Sequence, residues 1–86
     1  MMKEIRILGI NVTDRIKDAG ATQKIMSEYA KCIKTRLGFH ELSEDKCSRN
    51  AFIIIEMTEN QHEWDNFEDK LKLIPGVIVK KMSFFY

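Results

Sequence analysis

Four side chains of this sequence are of the types that bind transition metals: Cys32, Cys47, His40 and His62. Their spacing matches no zinc signature, in which paired ligands lie about two to five residues apart. Cys32 opens a predicted strand and Cys47 lies beyond its end, roughly 20 Å away at about 3.3 Å per residue, so the two thiols cannot share a metal or a disulfide within one chain. We therefore predict no metal and no cofactor.

His40 and Cys47 flank one predicted hairpin, and Glu41 lies nearby. Subunits that pair at this hairpin could bring the two side chains to one metal, so a metal-sensing module built on His40 and Cys47 remains the alternative interpretation. An exposed loop histidine and an exposed loop thiol are the simpler explanation.

No group of residues points to catalysis. Neighbouring carboxylates such as Glu68 and Asp69 are typical of a solvated helix face, and no Ser-His-Asp or Cys-His arrangement is indicated. The segment 11–15 (NVTDR) has an arginine after the first predicted strand but lacks the glycine nest that binds phosphate. An aspartate beside that arginine would also repel an anion. We predict that the chain is not an enzyme.

The composition fits one globular domain, predicted to span residues 1–86. Hydrophobic residues are 44% and charged residues 31%, and 14 Lys and Arg nearly cancel 13 Asp and Glu to leave a net charge of +1. That balance argues against a DNA-wrapping or membrane-surface protein. No apolar run approaches the ~20 residues of a membrane span. The charged N-terminal residues argue against a signal peptide, so we expect a cytoplasmic protein without a membrane partner.

Hydrophobic periodicity and turn residues predict six elements in the order β-α-β-β-α-β. The strand patterns cover 3–12, 32–40, 51–57 and 77–84, and the polar stretch 41–50 joins the second strand to the third as a hairpin. This order predicts an α+β, ferredoxin-like βαββαβ fold. Such a fold is a two-layer sandwich with both helices on one face of an antiparallel sheet and the first and third strands in the centre.

The first helix is predicted to begin after an N-cap at Asp14 and to end near Tyr29 or Ala30. Gly20 in its interior costs roughly 1 kcal/mol relative to Ala, so this helix depends on packing. Its predicted buried stripe is Ile16, Ala19, Met26 and Tyr29.

The sequence signals for the second helix are stronger than those for the first. Asn60 and Glu63 have the spacing of a capping box, and Pro75-Gly76 ends the helical pattern. Its predicted buried stripe is Trp64, Phe67, Leu71 and Ile74.

The two central strands are apolar on both faces. In strand three, Ile53 and Ile55 point to one side, and Phe52 and Ile54 point to the other. Strand one alternates in the same way between two sets of aliphatic residues, Ile5 and Ile7 against Leu8, Ile10 and Val12. A strand that is apolar on both faces must be covered on both faces, and the helices cover one. We therefore predict a homo-oligomer, either a dimer or a tetramer.

A sheet of this kind can also bind RNA when aromatic residues on the central strands stack on bases. The corresponding segments, 7–12 (ILGINV) and 49–54 (RNAFII), are mostly aliphatic. An RNA-binding sheet is therefore the weaker alternative.

Four short motifs occur together in this chain: 12–15 (VTDR), 36–39 (RLGF), the aliphatic strand 51–57, and the run from Leu71 to Lys80 that contains Ile74-Pro75-Gly76-Val77. With them the chain resembles, over about Ile5 to Ser83, the family of iron-only hydrogenase system regulators. That family is similar to ACT-type regulatory domains and to the C-terminal, effector-binding domain of nickel-responsive repressors. The resemblance implies an oligomeric, ACT-like, ligand-sensing regulator of transcription linked to the iron-only hydrogenase system.

The nickel site of those repressors does not carry over. The repressors have several histidines on strand two and a cysteine at the start of strand three, whereas this chain has His40 at the end of strand two and Ala51 at the start of strand three. They also have a separate ribbon–helix–helix segment that binds DNA, for which this chain has no room. An effect on transcription would therefore be indirect and would need a DNA-binding or protein partner.

In ACT-type domains the effector lies between subunits, near the turn after strand one. The resemblance therefore implies that Gly9, Asn11 and Asp14 bind a small-molecule effector of unknown identity. The Asn11 amide can hydrogen-bond an amide or a carboxylate. Asp14 is explained better as the N-cap of the first helix, a role worth ~1 kcal/mol.

Overall fold

The computed structural model describes residues 3–39 and 50–86. The predicted element order and the ferredoxin-like fold class are confirmed, with a four-stranded antiparallel sheet and both helices on one face. The elements are β1 (Glu4–Val12), α1 (Arg15–Glu28), β2 (Ile33–Phe39), β3 (Ala51–Met57), α2 (Trp64–Lys72) and β4 (Val77–Phe85). Short 3₁₀ turns precede β2 and α2. The predicted hairpin lies outside the described residues, apart from Asn50.

The strand order is β2-β3-β1-β4, so β1 and β3 are central as predicted and β2 is an edge strand. Ile10 of β1, for example, lies opposite Ile53 of β3 and Val79 of β4. Because side chains alternate along each strand, every such row lies on a single face of the sheet. The register therefore separates a helix-covered face from a face without helices.

The hydrophobic core lies between the sheet and the helices. Leu8, Ile10 and Val12 of β1 are at most 2% exposed. The stripe predicted for α2 is confirmed, because all four of its residues are buried: Trp64, Phe67, Leu71 and Ile74. Burying a large apolar side chain contributes about 1.5–3 kcal/mol, so α2 is held to the sheet mainly by this stripe.

The predicted stripe of α1 is partly wrong. Met26 is buried, but Ile16 is 69% exposed and Ala19 also faces solvent, while Asp18 and Thr22 are buried in their place. The Thr22 hydroxyl donates to the Asp18 carbonyl at 2.9 Å. A helix with so few apolar residues does not set its own orientation by hydrophobic periodicity; contacts with the rest of the fold decide which face is buried.

The start of α1 is held against the turn between α2 and β4. The backbone N–H and the side-chain hydroxyl of Thr13 both donate to the Gly76 carbonyl, at 2.8 and 2.9 Å. The Asp18 carboxylate lies directly over the Gly76 Cα. A side chain at position 76 would therefore require the Asp18 carboxylate to move from its buried position.

The predicted capping box of α2 is wrong. A 3₁₀ turn over 61–63 comes first, and Asn60 makes no side-chain cap bond to the helix. The Asn60 amide instead donates to the Lys31 carbonyl at 3.1 Å, and the Thr58 hydroxyl donates to the same oxygen at 2.7 Å. Asn60 thus joins the β3–α2 connection to the α1–β2 connection, a distant contact that outweighs local capping.

Arg6 joins β1 to α2. Its guanidinium donates to the carboxylates of Glu68 at 2.5 Å and Glu4 at 3.0 Å, and it lies 4.8 Å from the ring centre of Trp64. Burial alone would lower the pKa of Arg6, but the bonds to Glu68 and Glu4 outweigh burial and raise that pKa. The Ser83 hydroxyl, which donates to Glu4 at 2.7 Å, lowers the pKa of the Glu4 carboxyl together with Arg6. This network fixes α2 across β1 and β4.

Two glycines give opposite predictions for the same substitution. Nothing lies within 4 Å of a methyl group added at Gly20, so Gly20→Ala should raise the free energy of unfolding by about 1 kcal/mol through helix propensity.

A methyl group at Gly76 would overlap the Asp18 carboxylate, so Gly76→Ala should lower the free energy of unfolding by about 1–3 kcal/mol. Urea unfolding at one protein concentration measures both. A Gly76→Ala variant as stable as the parent would show that the Asp18 carboxylate contributes nothing at its present position.

Candidate functional site

Two of the three predicted site residues lie on the sheet face opposite the helices, which we call the open face. Gly9 and Asn11 are two positions apart on β1 and therefore share this face. The Asn11 side-chain amide donates to Asn50 Oδ1 and to the Ala51 carbonyl, both at 3.2 Å. These bonds hold the Asn11 amide at one end of the open face, beside the start of β3.

The third predicted residue, Asp14, lies beyond the end of β1. Its carboxylate accepts a hydrogen bond from the backbone N–H of Lys17 at 3.3 Å, which is the geometry of an N-cap. The cap predicted for the first helix is therefore present. The structure shows Asp14 as part of α1 formation, and a ligand contact by Asp14 remains a prediction.

The open face is apolar over most of its described area. Its rows across the sheet are Phe39, Phe52, Asn11 and Ile78; Leu37, Ile54, Gly9 and Lys80; Thr35, Glu56, Ile7 and Met82; and Ile5 with Phe84. Seven large apolar side chains of this face are between 39% and 59% exposed: Leu37, Phe39, Phe52, Ile54, Ile78, Met82 and Phe84. Contiguous exposed apolar patches of this kind mark surfaces that another molecule covers.

A small cavity of about 210 Å³ opens on this face above Gly9, between Ile54, Lys80 and Met82. A methyl group at position 9 would find its nearest neighbour, the Lys80 carbonyl oxygen, at 4.0 Å, which is an ordinary contact distance. The fold of one chain therefore does not require glycine at this position. The missing side chain leaves room for a group from another molecule.

A larger cleft, of about 530 Å³, lies on the other face of the sheet between α1 and β2. Its lining is mainly apolar, with two arginines: Arg15 from the first turn of α1 and Arg36 from β2. Sequence reasoning missed this convergence. The motifs VTDR and RLGF each contain one of the two arginines, but only the β1-α1-β2 crossover brings them to one cleft.

The residues considered for a metal site do not assemble within the described part of the chain. Cys32 is 2% exposed, and burial together with the charge of Glu63 raises the pKa of its thiol, so the metal-binding thiolate is disfavoured. No three His, Cys, Asp or Glu side chains among residues 3–39 and 50–86 are placed to hold an ion. The alternative pair, His40 and Cys47, lies outside those residues.

None of the helices described has the length and apolar character needed to span a bilayer.

No family model and no curated protein sequence matches this chain. Among solved structures, the uncharacterized protein TM1266 from Thermotoga maritima is 25% identical, with a TM-score of 0.74 over 95% of this chain and 99% of that chain. The ACT domain from GTP pyrophosphokinase of Chlorobium tepidum is 16% identical, with a TM-score of 0.63 over 91% of this chain and 96% of that chain.

A third similar structure is CPII from Thiomonas intermedia K12, a nitrogen regulatory PII-like protein whose structure contains ADP, AMP and acetate. It is 10% identical, with a TM-score of 0.60 over 100% of this chain and 91% of that chain. The chain thus has the fold of ACT and PII-like regulatory proteins, and the predicted ACT-like architecture is confirmed. The link to the iron-only hydrogenase system remains a prediction.

Substitution of Asp14 tests its role as the N-cap of α1. Asp14→Ala removes the acceptor for the Lys17 N–H and should lower the free energy of unfolding by about 1 kcal/mol. Asp14→Ser keeps a capping oxygen but removes the charge, so its free energy of unfolding should lie within a few tenths of a kcal/mol of the parent's. Urea unfolding compares the three proteins. Equal stability of the Ala variant and the parent would show that the cap contributes nothing.

Proposed function

We propose that this chain is a non-enzymatic regulatory module of ACT type, which assembles with copies of itself through the open face and binds a small effector beside Asn11 at that interface. The observation that carries the proposal is the open face itself. Its central strands place Phe52 and Ile54 beside Gly9, and no helix of the described chain covers them. The shared fold of ACT and PII-like regulatory proteins supports a regulatory role for such a module.

A second copy of the chain suits this face because an isologous interface brings the same patch to itself, so apolar groups meet apolar groups. Covering the exposed half of one large apolar side chain contributes about 1 kcal/mol. The cavity above Gly9 can receive a side chain of the partner, which would account for the absence of a side chain there. The same interface would bury Asn11 between subunits, where its side-chain oxygen can accept a hydrogen bond from a ligand while its N–H groups bond to Asn50 and Ala51.

RNA suits the face less well. Phe39 and Phe52 stack with ring centres 5.5 Å apart and would accept bases. The charged groups of the described open face include Lys80 and Glu56, whose opposite signs leave little field for a phosphate backbone. RNA binding is therefore the alternative function, and the effector experiment below also tests it.

The assignment of a regulated process rests on the sequence resemblance. The motifs VTDR and RLGF and the segment around Pro75-Gly76 support a role in the iron-only hydrogenase system. The regulation of transcription would act through a DNA-binding or protein partner, because the open face is apolar and the net charge is +1. Copurification with proteins of hydrogenase maturation would test this part separately from assembly.

Assembly through the open face predicts the mass of the protein in solution. Light scattering at micromolar concentration should give at least a dimer of the 10.1 kDa chain. Ile54→Lys places a charge at the centre of the open face and should reduce the mass to that of a monomer, because the buried ammonium would have no partner.

Ile16→Lys is the matched control for this experiment. Ile16 is 69% exposed on α1, away from the open face, so the same substitution there should leave the mass unchanged. A parent protein that is monomeric, or an Ile54→Lys variant that stays folded with the full oligomeric mass, would refute assembly through the open face.

Binding of a small effector predicts a rise in the melting temperature of the protein. In a thermal-shift screen of amino acids, nucleotides and iron–sulfur or hydrogenase-pathway metabolites, at least one compound should raise the melting temperature. A ligand at a hundredfold excess over its Kd stabilises the folded state by about 2.7 kcal/mol. Asn11→Ala should lose the shift and keep the oligomeric mass.

Asn50→Ala is the control for the effector test, because it removes one hydrogen-bond partner of Asn11 but keeps the Asn11 amide and its bond to the Ala51 carbonyl. This variant should retain the shift. Nanomolar binding of single-stranded RNA, with no compound raising the melting temperature, would replace the effector-sensing proposal with the RNA-binding alternative.

A further inference from the structure

We propose that the cleft between α1 and β2 is a second binding site, which takes a small organic anion with an apolar body. The cleft opens on the helix-covered side of the sheet, beside the edge strand β2, and among the described residues only Phe39 and Phe52 are common to its lining and to the open face. Its volume of about 530 Å³ is within the range of small-molecule sites, which is about 300–1,000 Å³. The inference does not depend on assembly through the open face.

The cleft exists because α1 does not cover the edge strand. This helix packs over β1 and against α2, which leaves the helix-facing side of β2 open beside it. Gly38 of β2 faces this side opposite Ile53, and a methyl group there would find its nearest neighbour, the Phe52 carbonyl oxygen, at 4.0 Å. A side chain at position 38 would therefore fit the fold but fill the cleft.

The charge of the lining selects an anion. Arg15 and Arg36 both line the cleft, and its described lining contains no carboxylate. Within the described part of the chain, Arg36 has no ion-pair partner. A guanidinium group binds carboxylate and phosphate oxygens through paired N–H donors, so either anion would satisfy Arg36.

The rest of the lining selects an apolar body. The exposed apolar groups of the lining are Ala19 of α1 and Phe39 and Phe52 of the sheet, whereas Val12, Met26 and Ile53 line the cleft but are buried. A wholly hydrophilic anion would leave the exposed apolar groups in contact with water. A ligand that joins an anionic group to an apolar body would match both parts of the lining.

Anilinonaphthalene sulfonate, an aromatic anion, is the probe for this site. Its fluorescence should rise on binding, and the double variant Arg15→Gln/Arg36→Gln should weaken binding by about ten- to a hundredfold. The neutral analogue phenylnaphthylamine should respond little to the same variant. Lys17→Gln/Lys24→Gln removes the same charge from exposed positions of α1 and should leave binding of the probe unchanged.

Gly38→Ile tests the cleft without changing its charge. The added side chain should abolish binding of the sulfonate and of its neutral analogue, and circular dichroism checks that the variant is folded. Unchanged affinity in this variant and in the double arginine variant would overturn the proposal.

Ile54→Lys separates this site from the open face. Binding of the probe should persist in this variant, because the cleft lies on the other side of the sheet. Loss of binding in Ile54→Lys, with full binding in the double arginine variant, would place the probe on the open face and overturn the inference. A monomeric parent with arginine-dependent binding would refute the proposed assembly and support the cleft.

Competition distinguishes the two sources of the anion. Displacement of the probe by indole acetate indicates an organic carboxylate, and displacement by adenosine monophosphate indicates a nucleotide phosphate. Displacement by neither would show that the cleft binds the sulfonate as an adventitious additive only, and would overturn the proposal.

Discussion

The structure depends on one constraint: two helices cover one face of a sheet whose central strands are apolar on both faces. On the covered face, Leu8 and Ile55 are completely buried. On the other face, the neighbouring residue Ile54 is 42% exposed. Because side chains alternate along a strand, no rearrangement within the sheet can bury both sets under two helices. An apolar open face is the direct result.

The two helices are held to the sheet by different interactions, and the position of α1 leaves a cleft on the covered face. An apolar stripe and the buried contacts of Arg6 with Glu68 and Glu4 hold α2. Met26 is the only buried apolar residue of α1, and Asp18 of the same helix packs against the α2–β4 turn. The docking of α1 on that turn places it over β1, and the cleft beside β2 is what this position leaves open.

The open face and the cleft share a strand. In β3, Ile53 and Phe52 line the cleft, and Phe52 and Ile54 lie on the open face. A ligand on one side and a second subunit on the other would therefore contact adjacent residues of one central strand. If both proposals hold, this arrangement would connect ligand binding in the cleft to assembly through the open face over a short distance.

Features that depend on neighbours along the chain could be predicted from the amino-acid sequence. Alternation predicted the strands and the apolar open face, helical spacing predicted the buried stripe of α2, and Asp14 marked the start of α1. The buried face of α1 could not be predicted, because that helix has little apolar periodicity and Asp18 docks against Gly76. The tertiary structure also gave Asn60 a partner at Lys31 and brought Arg15 and Arg36 to one cleft. Such contacts join elements that are distant in sequence, so local spacing carries no signal for them.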